Sequence, residues 1–227
     1  MPRVTFAAAL GLLGLVALFV AVQGFVWHSM SRGVLGLVGS SEAQGRLAGS
    51  ALSNGYIFGH MVFGGVVTML AVVQSAGFVR RRWPIVHRLS GRVLALSALM
   101  TGLGGLGYIL LRGTIGGPIM NVGFGLYGIL MILCAIQTPR YAMAGDYARH
   151  RRWGLRLILV ALGSWIYRVH YGLWYGATCG IAPELCGVGA SADFSGPFDI
   201  IQMFAFYLPY LLLLEWILRR HMNRQVM

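Results

Sequence analysis

The sequence predicts an all-α, polytopic membrane protein: six transmembrane helices in a single domain, residues 1–227. Apolar residues make up 57% of the 227 residues and charged residues only 11%, and the mean hydropathy is +0.71. Soluble globular domains carry about 25% charged residues, whereas this chain contains repeated hydrophobic runs of roughly 18 residues or more. The composition therefore argues against a soluble enzyme, a disordered tail and a nucleic-acid-binding module.

Six hydrophobic runs are long enough to cross a bilayer, and helices are the expected spanning element because they satisfy their own backbone hydrogen bonds. The first run exceeds the roughly 7–15 residues of a signal-peptide core and no small-residue cleavage site follows it, so we interpret it as a retained helix. The fourth begins with Pro118, which the first turn of a helix tolerates. The predicted spans are residues 4–27, 52–79, 93–111, 118–138, 154–175 and 200–218.

The arginines predict the orientation. All 18 basic residues are arginine, the formal net charge is +12, and the arginines cluster after the second, fourth and sixth spans. Because cytoplasmic loops carry the excess of positive charge, this alternation predicts a bacterial inner-membrane protein with both termini in the cytoplasm. The alternation also explains the high positive charge by the lipid bilayer as partner, so the charge does not indicate that the chain binds nucleic acid. The main clusters are Arg80, Arg81, Arg82, Arg88 and Arg92; Arg140, Arg149, Arg151 and Arg152; and Arg219, Arg220 and Arg224.

An internal repeat relates spans 2–3 to spans 4–5. When the chain is shifted by 63 residues against itself, several polar and glycine residues coincide. Identities among apolar residues are common between membrane helices, but identities among polar and glycine residues are not. We therefore interpret the two hairpins as copies that cross the membrane in the same direction. The matched pairs are Gln74 with Gln137, His87 with His150, Arg88 with Arg151, Gly91 with Gly154, and Tyr108 with Tyr171.

The motifs HRLSGR at 87–92 and HRRWGLR at 150–156 carry a resemblance to a known family. The paired motif resembles domain of unknown function 2306, a bacterial family of predicted multipass membrane proteins, over roughly residues 55–175. That resemblance implies a polytopic fold and no established activity. A weaker similarity to b561-type cytochromes implies a four-helix core that holds haem near each membrane face by histidines on helices two to five. The fourth span here contains no histidine, so that ligand scheme does not carry over intact.

Four histidines suggest where haem b would bind. His60 and His170 lie at similar depth in the outer half of their spans, whereas His87 and His150 lie at the cytoplasmic boundary. Axial imidazoles from facing helices hold b-type haem iron, and boundary arginines bind carboxylates by charge-assisted hydrogen bonds. The leading hypothesis is a transmembrane electron-transfer protein, a membrane oxidoreductase if it is an enzyme, with a redox partner. Its cofactor-binding residues would be His60, His170, His87, His150, Arg168, Arg88 and Arg151, and no catalytic residue is assigned.

Two other functions remain open at this point. In one, His60, Arg168 and His170 line an outer cavity of a small-solute or lipid transporter or sensor. In the other, the chain is an accessory scaffold of a membrane complex, and these residues serve packing and topology. Interfacial His-Arg pairs can anchor headgroups, and a neutral histidine can bond to a neighbouring helix.

The polar loop after the fifth span contains two cysteines. We expect Cys179 and Cys186 to lie outside, where an oxidising compartment permits a disulfide, although their spacing alone does not establish one. The same loop offers Asp199 and Glu184 as carboxylate partners for the deeply placed Arg168.

Two local features are predicted for the sixth span. Glu215 and Arg219 are four residues apart, the spacing at which side chains on one helix form an ion pair. Pro209 has no backbone amide hydrogen, so we expect it to kink this helix.

Overall fold

Helices account for all of the regular secondary structure that the structure describes. The computed structural model describes residues 6–47, 49–181 and 183–226, and these ranges contain nine α-helices, two 3-10 turns and no strand. The helices are α1 (Phe6–Leu37), α2 (Ser41–Gln44), α3 (Ala51–Ser75), α4 (Gly77–Arg82), α5 (Pro84–Arg112), α6 (Gly117–Met143), α7 (Tyr147–Gly180), α8 (Pro197–Ala205) and α9 (Leu208–Val226). The 3-10 turns are Gly45–Leu47 and Pro183–Leu185.

Five segments in the described ranges are long and apolar enough to cross a membrane, which confirms the all-α polytopic class. They include α1 and the combined α8–α9 unit. The predicted fifth span lies in α7, which is 34 residues long but is less apolar, because it carries Arg168, His170 and several tyrosines. The five segments are Leu10–Leu37, Ala51–Ser75, Pro84–Arg112, Gly117–Met143 and Pro197–Arg220.

Several helices extend beyond the boundaries that hydropathy predicts. The first span, predicted as 4–27, continues as helix to Leu37. At the arginine clusters, α5 begins at Pro84, a favoured first-turn residue, and α7 begins after Asp146, whose carboxylate accepts a hydrogen bond from the amide of Arg149 at 2.9 Å. Hydropathy locates the lipid-embedded part of a helix and not its polar first turns. His87 and His150 therefore lie inside helices.

The core forms where α3, α5, α6 and α7 pack around the junction between α8 and α9. Small residues bring the backbones close together: a Cβ built on Gly102 of α5 would lie 3.1 Å from the carbonyl oxygen of Gly128 in α6. A second cluster of valines joins α1 to α3. The main core comprises Val67, Ala71, Leu94, Ala98, Tyr127, Met131, Cys134, Ala135, Leu157, Val160, Ala161, Phe206 and Tyr207.

The last membrane segment is interrupted between α8 and α9. Pro209 has no amide hydrogen to donate to the carbonyl of Ala205, the residue at which α8 ends. Phe206 and Tyr207 occupy the break and are fully buried, and the Tyr207 hydroxyl donates to the carbonyl of Gly123 in α6 at 3.0 Å. At the expected kink the structure has a two-residue turn, and two aromatic side chains fill the core at that point.

Candidate functional site

Two of the predicted site histidines lie at one end of the bundle. We call it the arginine-rich end, because it carries the arginines of residues 80–92 and 140–156. His87 lies near the start of α5 and His150 near the start of α7. The structure thus places the predicted inner pair at the same end.

The hydrogen bonding of His150 leaves one ring nitrogen available. Its Nδ1 lies 2.9 Å from the carbonyl oxygen of Thr138 in α6. A carbonyl only accepts, so Nδ1 carries the hydrogen and Nε2 remains available as a lone-pair donor. This arrangement is typical of histidines that bind metals, where a bond from the second nitrogen orients the ring.

Two buried polar side-chain atoms within the described ranges have no hydrogen-bond partner, and both lie at the arginine-rich end. They are Nδ1 of His87 and Oε1 of Gln137. The matching glutamine of the other hairpin, Gln74, donates to the carbonyl of His87 at 2.9 Å and to the hydroxyl of Ser90 at 2.6 Å. A buried unsatisfied polar group costs about 1–3 kcal/mol, so each of these two atoms would favour an added hydrogen-bond partner.

The predicted outer pair bonds in two different directions. Nδ1 of His60 donates to the carbonyl of Thr101 in α5 at 2.8 Å, and its ring packs against Gly105. His170 faces α8 and α9: its Nδ1 lies 3.0 Å from Oε1 of Gln202, and its Nε2 lies 2.7 Å from the hydroxyl of Tyr210. Both ring nitrogens of His170 are occupied, so this arrangement leaves no axial position on that ring.

Arg168, two residues before His170 in α7, has no carboxylate partner within the described ranges. It donates to the carbonyl of Ser164 at 2.8 Å, and its guanidinium carbon lies 4.5 Å from the ring centroid of Phe25 in α1. The expected pairing with Asp199 or Glu184 is wrong. Asp199 accepts hydrogen bonds from Tyr171, Ser191 and Gly196 instead, and Glu184 is exposed.

The opposite end, which we call the loop end (residues 113–116 and 183–196), contains an open groove beside His170. The groove has a volume of about 280 Å³, and Trp174 and Phe198 stack on its wall with ring centroids 4.4 Å apart. A disulfide joins Cys179 and Cys186 where α7 leads into this loop. Outside the membrane-spanning segments, hydrogen bonds from Ser191 and Ser195 lower the pKa of Asp193.

The two histidine pairs differ in which of their ring nitrogens are available to bind haem iron. Haem iron takes two axial ligands from the protein, and the inner pair offers an unpartnered nitrogen on His87 and an available one on His150. Arg88 and Arg151 follow these histidines in sequence and are exposed. The inner histidines therefore each keep a ring nitrogen without a hydrogen-bond partner, whereas both ring nitrogens of His170 are bonded. In the described part of the chain, no three His, Cys, Asp or Glu side chains converge on a metal-sized site.

Comparison with known families bears on this region directly. The model of a family described as "Predicted membrane protein (DUF2306)" matches residues 57–190. The chain belongs to this family. The match runs from α3 to the loop after α7, so the family region contains all four candidate histidines. The family description names a membrane protein and no reaction, substrate or cofactor. No curated protein and no solved structure matches the chain.

Three polar residues of these clusters are absent from the sequence-predicted site: Gln137, Gln202 and Tyr210. The available signal is that polar side chains within predicted spans are uncommon and often functional. Gln137 falls in the predicted span 118–138, and Gln202 falls in 200–218. Gln202 and Tyr210 bond to residues of α7, and hydropathy contains no information about which helices are neighbours.

Proposed function

We propose that the chain crosses a bacterial inner membrane six times, with α7 as the additional span and both termini in the cytoplasm. At about 1.5 Å per residue, the 34 residues of α7 extend about 50 Å, well beyond a ~30 Å hydrocarbon core. This helix packs between α3 and α6 and also contacts α9, so it belongs to the bundle and not to its surface. The positive-inside rule places the arginine-rich end in the cytoplasm.

We also propose that the hairpins α3–α5 and α6–α7 are two copies of one unit. Each hairpin joins the end of its first helix to the start of its second by a side-chain bond to a backbone carbonyl. In the first, Gln74 bonds to the carbonyl of His87, and in the second, His150 bonds to the carbonyl of Thr138. The two bonds run in opposite senses, so the support for the repeat is the set of polar and glycine residues that coincide after the 63-residue shift.

The function that this geometry supports best is electron transfer with haem b bound at the arginine-rich end. The observation that carries the proposal is the buried, unpartnered Nδ1 of His87, at the same end of the bundle as His150. When bound, haem supplies one-electron chemistry that no protein side chain at this end offers.

Different residues of the chain would have different roles in binding haem. Thr138 holds His150 in one orientation through its carbonyl. Gln137 lies near the end of α6, and its Oε1 is the second buried atom without a hydrogen-bond partner. The exposed guanidinium groups of Arg88 and Arg151 would be available to bind the propionate carboxylates of haem by charge-assisted hydrogen bonds.

An absorption spectrum tests this proposal. Protein purified from haem-replete cells should show a Soret band that shifts on reduction with dithionite. His150→Ala should abolish the band, whereas the matched control His170→Ala should keep it, because His170 bonds to Gln202 and Tyr210. Colourless wild-type protein, or a band lost only in His170→Ala, would contradict the proposal.

The groove at the loop end favours a second candidate, a small-solute or lipid transporter or sensor. Its volume of about 280 Å³ is at the lower limit of the roughly 300–1,000 Å³ of small-molecule pockets, and its walls are aromatic. Small amphipathic solutes should then raise the thermal stability of the wild-type protein but not that of Trp174→Ala. Equal responses of the two proteins would remove this candidate.

A further inference from the structure

Arg168 carries a charge that no acidic side chain in the described ranges neutralises. Its guanidinium group donates to the carbonyl of Ser164 and stacks on the ring of Phe25 in α1, and neither partner carries a negative charge. All six acidic side chains of the sequence lie in the described ranges: three have partners of their own, and three are exposed in α2 and in the loop after α7. The first three are Asp146, Asp199 and Glu215, and the others are Glu42, Glu184 and Asp193.

The contacts of Arg168 place its charge deep in the membrane. Helical side chains point towards the N-terminus of their helix, and the bond to Ser164 follows this direction, back along α7 towards the arginine-rich end. Ser164 is at the middle of the predicted span 154–175, and Phe25 is near the middle of the membrane segment Leu10–Leu37. Both partners therefore place the guanidinium group about 15 Å from either surface of the hydrocarbon core.

The guanidinium group is nevertheless accessible from outside the bundle. Arg168 is exposed, and the bond to Ser164 uses one of the five N–H donors of an arginine. Gly172 and Gly176 follow it on α7 at the four-residue spacing that places side chains on one helix face. A Cβ built on either glycine would meet nothing within 4 Å, so another helix has room to approach beside the charge. We call the surface made by Phe25, Arg168, Gly172 and Gly176 the Arg168 face.

We propose that the Arg168 face docks a transmembrane helix of another protein, which carries an aspartate or a glutamate at the same depth. A carboxylate there neutralises the guanidinium group through charge-assisted hydrogen bonds, and polar side chains inside membranes hold helices together. A lipid phosphate does not fit, because it stays in the headgroup layer, about 15 Å away. A second copy of this chain does not fit either, because it would bring another uncompensated arginine. The inference rests on the proposed crossing of α7 and does not depend on haem.

The test uses the full-length protein in lipid vesicles together with synthetic transmembrane peptides. The peptides are identical apolar helices of about 20 residues except for glutamate, glutamine or lysine at the centre, and binding is measured by fluorescence energy transfer. The wild type should bind the glutamate peptide roughly tenfold more tightly than the glutamine peptide. Arg168→Gln should remove this preference, and Arg168→Glu should transfer it to the lysine peptide. The matched control Arg82→Gln, at an exposed arginine outside the Arg168 face, should keep it.

The stability of the protein without peptide separates a docking role from a structural one. An uncompensated charge in the middle of a membrane is unfavourable, so Arg168→Leu should unfold at a higher temperature than the wild type. A lower unfolding temperature would mean that Arg168 serves to hold α1 against α7 and would overturn the proposal. Equal binding of the glutamate and glutamine peptides by the wild type would also overturn it. So would saturable binding of oleate that Arg168→Gln abolishes, because the face would then bind a fatty-acid carboxylate.

Two further measurements keep this inference separate from the proposed function. The Soret band of Arg168→Gln should match that of the wild type, and a band lost in this variant would assign Arg168 to haem and overturn the docking role. In a Cys134→Ser background, a charged maleimide on both sides of the vesicles should label Glu184→Cys in the exposed loop but not Arg168→Cys. Labelling of Arg168→Cys would contradict the crossing of α7 and the inference together. An unlabelled Arg168→Cys without any peptide preference in the wild type would overturn the inference alone.

Discussion

The guanidinium group of Arg156 in α7 donates two hydrogen bonds to the carboxylate of Glu215 in α9. The sequence predicts a different ion pair for Glu215, with Arg219 four residues later. An exposed pair on one helix contributes only about 0.3–0.5 kcal/mol. The side chain of Arg156 is 19% exposed and that of Glu215 is 34% exposed, so the bidentate interhelical pair is shielded from water and is the stronger one.

Glu215→Gln should therefore weaken the attachment of α9 to α7. The amide keeps the shape but loses the charge and one acceptor, and we expect a loss of about 1–3 kcal/mol in the free energy of unfolding. Thermal unfolding in detergent should show a lower midpoint. Glu184→Gln, at an exposed glutamate of the loop end, is the control and should change stability by less than about 0.5 kcal/mol. A midpoint for Glu215→Gln no lower than that of the control would contradict the structural role of the pair.

Asp199→Asn should destabilise the loop end. Asp199 is fully buried and accepts hydrogen bonds from the Tyr171 hydroxyl and from the amides of Ser191 and Gly196. An amide group in its place turns one acceptor towards these donors into a donor, at a cost of about 1–3 kcal/mol. Hydrogen exchange of residues 183–196 should become faster. The matched control is Asp193→Asn at an exposed aspartate, and unchanged exchange in Asp199→Asn would be the contrary result.

Two glycine substitutions should change stability in opposite directions. A Cβ at Gly104 in α5 would lie 2.9 Å from the carbonyl oxygen of Tyr56 in α3, so Gly104→Ala must push the helices apart and should cost about 1–3 kcal/mol. Gly55 in α3 has nothing within 4 Å of an added Cβ, so Gly55→Ala should raise stability by about 0.5–1 kcal/mol. Unfolding midpoints measured side by side decide this. Equal shifts would mean that α3 and α5 do not approach each other as described.

The cysteines should give a simple labelling pattern. Cys179 and Cys186 are bonded to each other, whereas Cys134 is a buried free thiol. After denaturation without reductant, a maleimide should therefore add once per chain, and after reduction three times, as read by mass spectrometry. Cys134→Ser should show no adduct before reduction. Three adducts without reductant would contradict the disulfide, and with it the placement of this loop in an oxidising compartment.

Hydropathy predicts the membrane segments well because a segment that crosses a bilayer must be apolar, and apolar composition can be seen in a single sequence. It predicts their ends less well, as α1 shows. Residues 28–37 contain several glycine and serine residues, which favour a loop, yet they are helical because α3 packs on them. A Cβ at Gly33 or Gly36 would collide with Val62 or Phe58, and Ser29 donates to the carbonyl of Met61 at 2.7 Å. These small residues are the positions at which α1 contacts α3, and this role is visible only when the neighbouring helix is known.

In the candidate site, too, the sequence predicts the depth of the side chains better than it predicts their neighbours. The 63-residue repeat predicts that His87 and His150 share a level, because copies of one hairpin place equivalent residues at equivalent depths. Depth alone also suggests a pairing of His60 with His170, but depth does not specify the direction of a side chain around its helix. In the structure these two rings bond to α5 and to α8–α9, respectively.

The break at Phe206 and Tyr207 makes the last membrane segment two short rods with a joint between them. The rod nearer the loops is fastened to α7 through Asp199 and Tyr171, and the other through Glu215 and Arg156. These two attachments lie near opposite ends of α7, so loss of one of them removes a contact from only one of the two rods.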